Sequence, residues 1–169
     1  MIQDMARKFA RVTLDPVAAS LDGGAHHAAD RQVFLENLNS LAELGFMGLN
    51  VKSQYGGSDV GVVAFSLAIT EVARACASTA VTMSVTNMVG EVIQSVANEE
   101  QKQRYLPKLC SGEYAAGSFC LSEAGAGSDP AGMATTAVKD EDEWVLNGTK
   151  MWISSAEYAG VFVVWAVTD

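Results

Sequence analysis

Phe119-Cys120-Leu121-Ser122-Glu123-Ala124-Gly125-Ala126-Gly127-Ser128-Asp129 is the stretch of this 169-residue chain whose residue types could do chemistry. A short apolar run enters a loop of small residues that carries two glycines and two hydroxyls. With no Cβ in the way, backbone N–H groups of such a loop can approach a phosphate or another anion closely. The same composition fits a plain tight loop, and local chemistry leaves both readings open. It is no Rossmann fingerprint, because the third glycine is missing and Pro130 stands where a helix would propagate. Nor is it a P-loop, since no Lys-Ser/Thr follows the glycines. Neither Ser122 nor Ser128 has a histidine near it in sequence, which argues against nucleophilic catalysis. Glu123 and Asp129 could form a carboxylate pair, although a solvated or structurally bonded role is the commoner one for such residues. After Lys108 the only cationic side chains are Lys139 and Lys150, so a bound phosphate would rely on backbone dipoles and hydroxyls.

Composition narrows the setting. The chain is 49% hydrophobic and 18% charged, with 15 Gly and 3 Pro, which excludes a disordered chain, a collagen and a coiled coil. Its net charge of −9 repels nucleic acid and anionic lipid, so neither is an expected partner. Cys76, Cys110 and Cys120 show no CxxC spacing and read as buried, reduced thiols. The only histidines, His26 and His27, are adjacent and point in different directions on a regular element, so no zinc site is expected. No secretory signal and no membrane-spanning stretch is seen, and the expected compartment is cytoplasmic.

The elements that must position the loop come in two textures. Residues before Glu113 read as helices. Phe34, Leu38 and Leu41 repeat at helical spacing, with Gly45 placed to end that helix. Phe65, Ala68, Ile69, Val72, Ala73 and Cys76 form one stripe, and Val85, Met88, Val89, Val92, Ile93 and Val96 form another. Gly56-Gly57-Ser58 marks a loop between helices. Asn98 with Gln101 reads as a capping box opening a short helix through Leu106 that Pro107 stops. After Glu113 the chain reads as strands: Ala115 to Leu121, Thr135 to Val138, Trp144 to Leu146, then an Asn147-Gly148 hairpin turn, a returning strand Met151-Trp152-Ile153, and Gly160 to Val167. An acidic tip, Asp140 to Glu143, precedes Trp144. The expected fold class is α+β, with a helical domain over 1–113 and β structure over 114–169. Charge divides the same way: 9 basic and 12 acidic side chains in 1–113 against 2 and 8 in 114–169.

The stretch 119–129, followed by Asn147-Gly148-Thr149-Lys150-Met151-Trp152-Ile153-Ser154, resembles the acyl-CoA dehydrogenase family. So do Gly45-Phe46-Met47-Gly48-Leu49, Gln54-Tyr55-Gly56-Gly57 and the run Glu99 to Pro107, and the likeness extends from about residue 30 to the end of the sequence. The wording of the two main motifs is most like the short/branched-chain members. Two departures are visible: Ala124 where many members have Pro, and Ser154 where many have Thr.

The resemblance implies an all-helical N-terminal domain and the first part of an antiparallel, barrel-like middle β domain. The family's C-terminal helical domain would lie outside this sequence. It implies FAD as cofactor, with Phe119, Leu121 and Ser122 along the flavin ring, and Gly127 and Ser128 near the pyrophosphate. Ser128 would also meet the CoA arm of an acyl-CoA substrate. Trp152 would pack on the ring face, Ile153 beside it, and Ser154 would turn its hydroxyl toward the flavin's reactive nitrogen. The implied reaction is α,β-dehydrogenation of a short or branched acyl-CoA, with electrons passed to an electron-transfer flavoprotein, in a homo-oligomer. No catalytic residue is assigned: the family's base would lie beyond Asp169, and Glu91 is the sole local candidate, better read as a pocket or helix-face residue. Acyl-chain selection would involve residues near Met83, Asn87 and Gly90. Alternatives are an acyl-CoA oxidase or flavin monooxygenase relative, and an inert acyl-CoA or subunit-binding module. The apolar run Val161 to Val167 is expected to be a strand needing cover, prone to self-association if bare.

Overall fold

The computed structural model describes residues 1–22 and 28–168; the His26-His27 pair lies outside the described residues. The chain opens with α1 (Ile2–Phe9), a π turn (Ala10–Leu14) and α2 (Asp15–Asp22). Ala6, Phe9, Leu14 and Leu21 point inward from this run. α1 packs on α4 (Gly61–Ala75), where the buried Glu71 carboxylate accepts Arg7 Nη2 at 2.7 Å and Gln3 Nε2 at 2.8 Å. Those bonds hold the Glu71 carboxyl down at about 2, with the Arg7 hydrogen bond the largest cause.

α3 (Ala28–Glu43) ends where the sequence places the stop: Gly45 adopts φ +75° and its N–H bonds Ala42 O at 2.8 Å. The following segment carries two short 3₁₀ turns, Phe46–Gly48 and Ser53–Tyr55; its first turn is buried, and the expected loop at Gly56-Gly57-Ser58 follows the second. Phe46, Met47, Leu49 and Val51 are buried, and a Cβ on Gly57 would strike the Val51 carbonyl.

α5 (Ala77–Val96) is the central post. Its expected stripe is only partly inward: Val89 and Ile93 are buried, but Met88 and Val96 are exposed. Thr79, Ala80, Thr82, Met83, Thr86, Asn87 and Gly90 make up the rest of the buried face. Asn87 holds the preceding turn through Leu49 N (2.7 Å) and Phe46 O (2.8 Å), and Thr86 Oγ1 accepts Gly117 N at 3.2 Å. α6 (Glu99–Ser111) starts on the Asn98–Gln101 capping box, with both reciprocal bonds present. It does not stop at Pro107. Proline removes one hydrogen bond, to the Gln103 carbonyl, and the buried Leu106, Leu109 and Cys110 carry the helix on to Gly112 at φ +82°. All three cysteines are free and buried.

The β portion is short: β1 (Gly117–Cys120), β2 (Thr136–Asp140), β3 (Glu143–Asn147) and β4 (Val161–Val164). β2 and β3 pair antiparallel, but β1 and β4 pair in parallel, with Gly117 opposite Val161. The hairpin turn is Glu141-Asp142, at the acidic tip, with Glu141 at φ +50°. Asn147-Gly148 makes no turn between strands; Gly148 allows the backbone to lie against Thr135, whose Oγ1 a Cβ there would strike. Met151-Trp152-Ile153 is no strand, because Lys150 and Met151 are drawn to the loop after β1. A bridge between Thr136 and Val167 ties the two strand pairs together. Among the described residues no helix is long and apolar enough to cross a membrane.

Candidate functional site

β1 is hung on α5 by the Thr86–Gly117 bond and delivers the chain into the loop at Leu121. Inside the loop, Glu123 and Ala126 exchange backbone hydrogen bonds of 3.0 and 3.2 Å, which close a tight turn around the buried Ala126. The Glu123 carboxylate turns inward and accepts Ala134 N at 2.7 Å, Thr135 N at 3.0 Å and Lys150 Nζ at 2.8 Å. Lys150 Nζ also donates to the Leu121 carbonyl at 3.0 Å, and Met151 N donates to Ser122 O at 2.8 Å. Both charged side chains are only 9% exposed. The carboxyl of Glu123 is drawn down to about 2, first by the Lys150 hydrogen bond and then by those from Thr135 and Ala134. It pairs with Lys150, not with the exposed Asp129.

These bonds set two segments side by side, 121–128 and 150–154. Leu121, Ser122, Ile153 and Ser154 are half-buried, while Gly127 and Ser128 are exposed. Trp152 is 89% exposed, on a left-handed backbone with φ +59°. Its neighbour Ser154 is fixed through its carbonyl, which accepts the Ser118 hydroxyl at 2.7 Å. The Phe119 ring is engaged elsewhere, 5.9 Å from the Trp165 ring and against the core around Leu106 and Leu109.

A Cβ built on Gly125 or Gly127 would meet nothing within 4 Å, and neither residue has a positive φ that glycine alone tolerates. The chain's own packing therefore does not demand glycine there. What glycine provides is bare backbone facing open space, the condition for N–H groups to meet an incoming anion. The wall thus offers exposed glycine backbone, serines on both segments and one bare indole face. An aromatic face with hydroxyls and glycine backbone near it in the chain suits a planar, phosphate-bearing ligand such as a flavin nucleotide. Lys150 is not among the free donors.

Glu91 lies on the exposed side of α5 and accepts a short hydrogen bond from Asn50 Nδ2. Met83 and Asn87 are fully packed within the core. A cleft of about 540 Å³ opens between α5, α6 and β4, lined by Val92, Val96, Gln101, Tyr105 and Phe162, and includes no residue of the candidate wall. The residue that sequence reasoning overlooked is Lys150 as partner of Glu123. Its signal was present: it is one of two cations in the β portion and directly precedes the motif's Met151-Trp152.

Residues 1–113 match the acyl-CoA dehydrogenase N-terminal domain, and residues 118–169 match the acyl-CoA dehydrogenase middle domain. Over its whole length the chain is 40% identical to the mitochondrial short-chain specific acyl-CoA dehydrogenase of Sus scrofa, covering 40% of that protein. It is 38% identical, again over its whole length, to the mitochondrial short/branched chain specific acyl-CoA dehydrogenase of Rattus norvegicus, covering 38% of it. The solved acyl-CoA dehydrogenase of Bacillus anthracis complexed with FAD superposes with a TM-score of 0.86 at 33% identity, over 98% of this chain and 28% of that one. The chain spans about 40% of the length of the curated relatives it matches.

Proposed function

The chain belongs to the acyl-CoA dehydrogenase family, and from that premise we propose that it supplies the helical domain and one flavin-facing wall of an FAD-dependent enzyme that dehydrogenates a short or branched acyl-CoA. Electrons would leave to an electron-transfer flavoprotein. The observation that carries this reading is the joining of 121–123 to 150–151, which sets the exposed Trp152 directly after the segment bonded to the start of the loop that carries Gly125 and Gly127. When bound, FAD supplies the hydride acceptor. Leu121 and Trp152 would shield the ring from water, while Ser122 and Ser154 would donate to its polar edge and reactive nitrogen. Gly127 and Ser128 would meet the pyrophosphate, and Ser128 also the CoA arm, through backbone and hydroxyl donors.

The base that takes the α-proton is proposed to come from a part of the family's fold that this chain does not span. Glu123 cannot serve, since Lys150 holds it ionised with a pKa of about 2, far below what a general base near neutral pH needs. The 169-residue chain by itself should give no turnover. The test uses butyryl-CoA and 2-methylbutyryl-CoA with an enzyme assembled from this chain and the rest of the family's fold. Substrate should bleach the flavin, and electron-transfer flavoprotein should restore its colour faster than air does. Faster recovery in air would make it an oxidase. A flavin that no acyl-CoA bleaches would refute the reading.

A further inference from the structure

We propose that the Glu123–Lys150 ion pair is a positioning device: it holds the Ser122–Ser128 loop and the Trp152 segment in register, with neither charged group touching the ligand. The inference rests on the flavin-wall reading for its purpose, though the device itself is defined by this chain's own contacts.

Neither segment is fixed by a sheet. Loop 121–129 closes on itself through the Glu123–Ala126 bonds, and residues 150–155 form no strand. Between them stand two Lys150 bonds, to Leu121 O and to Glu123 Oε1, and the Met151–Ser122 bond. The same carboxylate gathers Ala134 N and Thr135 N, so three separate stretches of chain meet at one group. Trp152 shows why such a clamp is needed. A bulky residue with φ +59° is strained and keeps that conformation only when its surroundings over-determine it. Lys150 and Met151 pin it from one side, and the Ser118–Ser154 bond pins it from the other. Lys150 is also spoken for as a cation: its ammonium faces Leu121 O, Glu123 and Met133 Sδ, and it is 9% exposed. A phosphate on this wall meets amides and hydroxyls, while the lysine works from behind.

The test uses the whole chain. In Lys150→Met, amide exchange at Ala134, Thr135 and Met151 should quicken by about 10–100-fold, the worth of lost hydrogen bonds to a charged group, while α1–α6 keep their protection. Lys150→Arg should retain most of that protection. Addition of FAD should shift the Trp152 amide and indole resonances in the wild type and in Lys150→Arg, and leave them unmoved in Lys150→Met. If Lys150→Met loses helical protection too, Glu123→Gln, which keeps the shape and drops the charge, is expected to quicken the same three amides less steeply. Unchanged exchange at those amides in a folded variant overturns the proposal. A wild type whose Trp152 ignores FAD counts against the flavin reading alone, because the exchange measurement still decides the clamp.

Discussion

Asn87→Ala should be among the most damaging single changes in the helical domain, although the residue is polar and sits in the middle of a helix. Its side chain is 1% exposed and bonds two backbone groups of the buried 46–49 turn, Leu49 N at 2.7 Å and Phe46 O at 2.8 Å. A third bond, to Met83 O at 2.9 Å, adds little, since that carbonyl already serves the helix. Alanine leaves a buried N–H and a buried C=O without partners, at about 1–3 kcal/mol each, for a total near 4 kcal/mol. For a chain of this size about 3 °C of Tm follows each kcal/mol, so the melting point should fall by about 12 °C. Thr86→Val, which removes only the 3.2 Å bond to Gly117 N, should cost less than half as much. Thermal unfolding followed by far-UV circular dichroism measures both. An Asn87→Ala protein melting within about 3 °C of the wild type would mean that the turn finds other partners at almost no cost, and that Asn87 does not hold it.

Other outcomes follow from the same contacts. Glu71 and Glu123 both have folded pKa values of about 2, below the ordinary 4.5, so each stabilises the fold fully above the unfolded value and loses that contribution as pH falls from about 4.5 toward 2. Tm should therefore be steady near neutrality and drop steeply in that acid window, less steeply in Glu71→Gln; a flat profile would count against both pairs. Gly127→Ala should leave the unfolding free energy within about 0.5 kcal/mol of wild type, because its Cβ meets nothing, yet weaken FAD binding. Gly160→Ala should destabilise the fold outright, because its Cβ would strike the Tyr114 ring. Burial raises the Cys110 thiol to about 11, so it should resist alkylation at pH 8 in the folded chain and react on unfolding; rapid labelling of native protein would contradict its placement.

What could be read from the sequence was what depends on near neighbours. The Asn98–Gln101 capping box and the Gly45 stop lie within a few residues of the backbone groups they satisfy, and both stand where they were expected. The buried face of α5 was harder to see, because Thr79, Thr82, Thr86 and Asn87 do the work that an apolar count assigns to Met88 and Val96. The Thr86 hydroxyl and the Asn87 amide are satisfied by distant partners, Gly117 and Leu49, which no periodicity reveals. The same holds for Asn147-Gly148. Its local preference for a hairpin turn is real, but Lys150, two residues on, is committed to a carboxylate 27 positions upstream, and the returning strand never forms. At the wall, the serines and glycines were legible as chemistry; the clamp behind them was not, because an ion pair between segments has no sequence spacing of its own.

The flavin-facing wall is tested most directly by an isotope-labelled spectrum of the 169-residue chain titrated with FAD at concentrations high enough to detect weak binding. Shifts should be confined to residues 121–128 and 152–154, with the Trp152 indole among the largest and the α1–α4 resonances still. Shifts that fall elsewhere, or a spectrum that FAD leaves unchanged throughout, would contradict that reading.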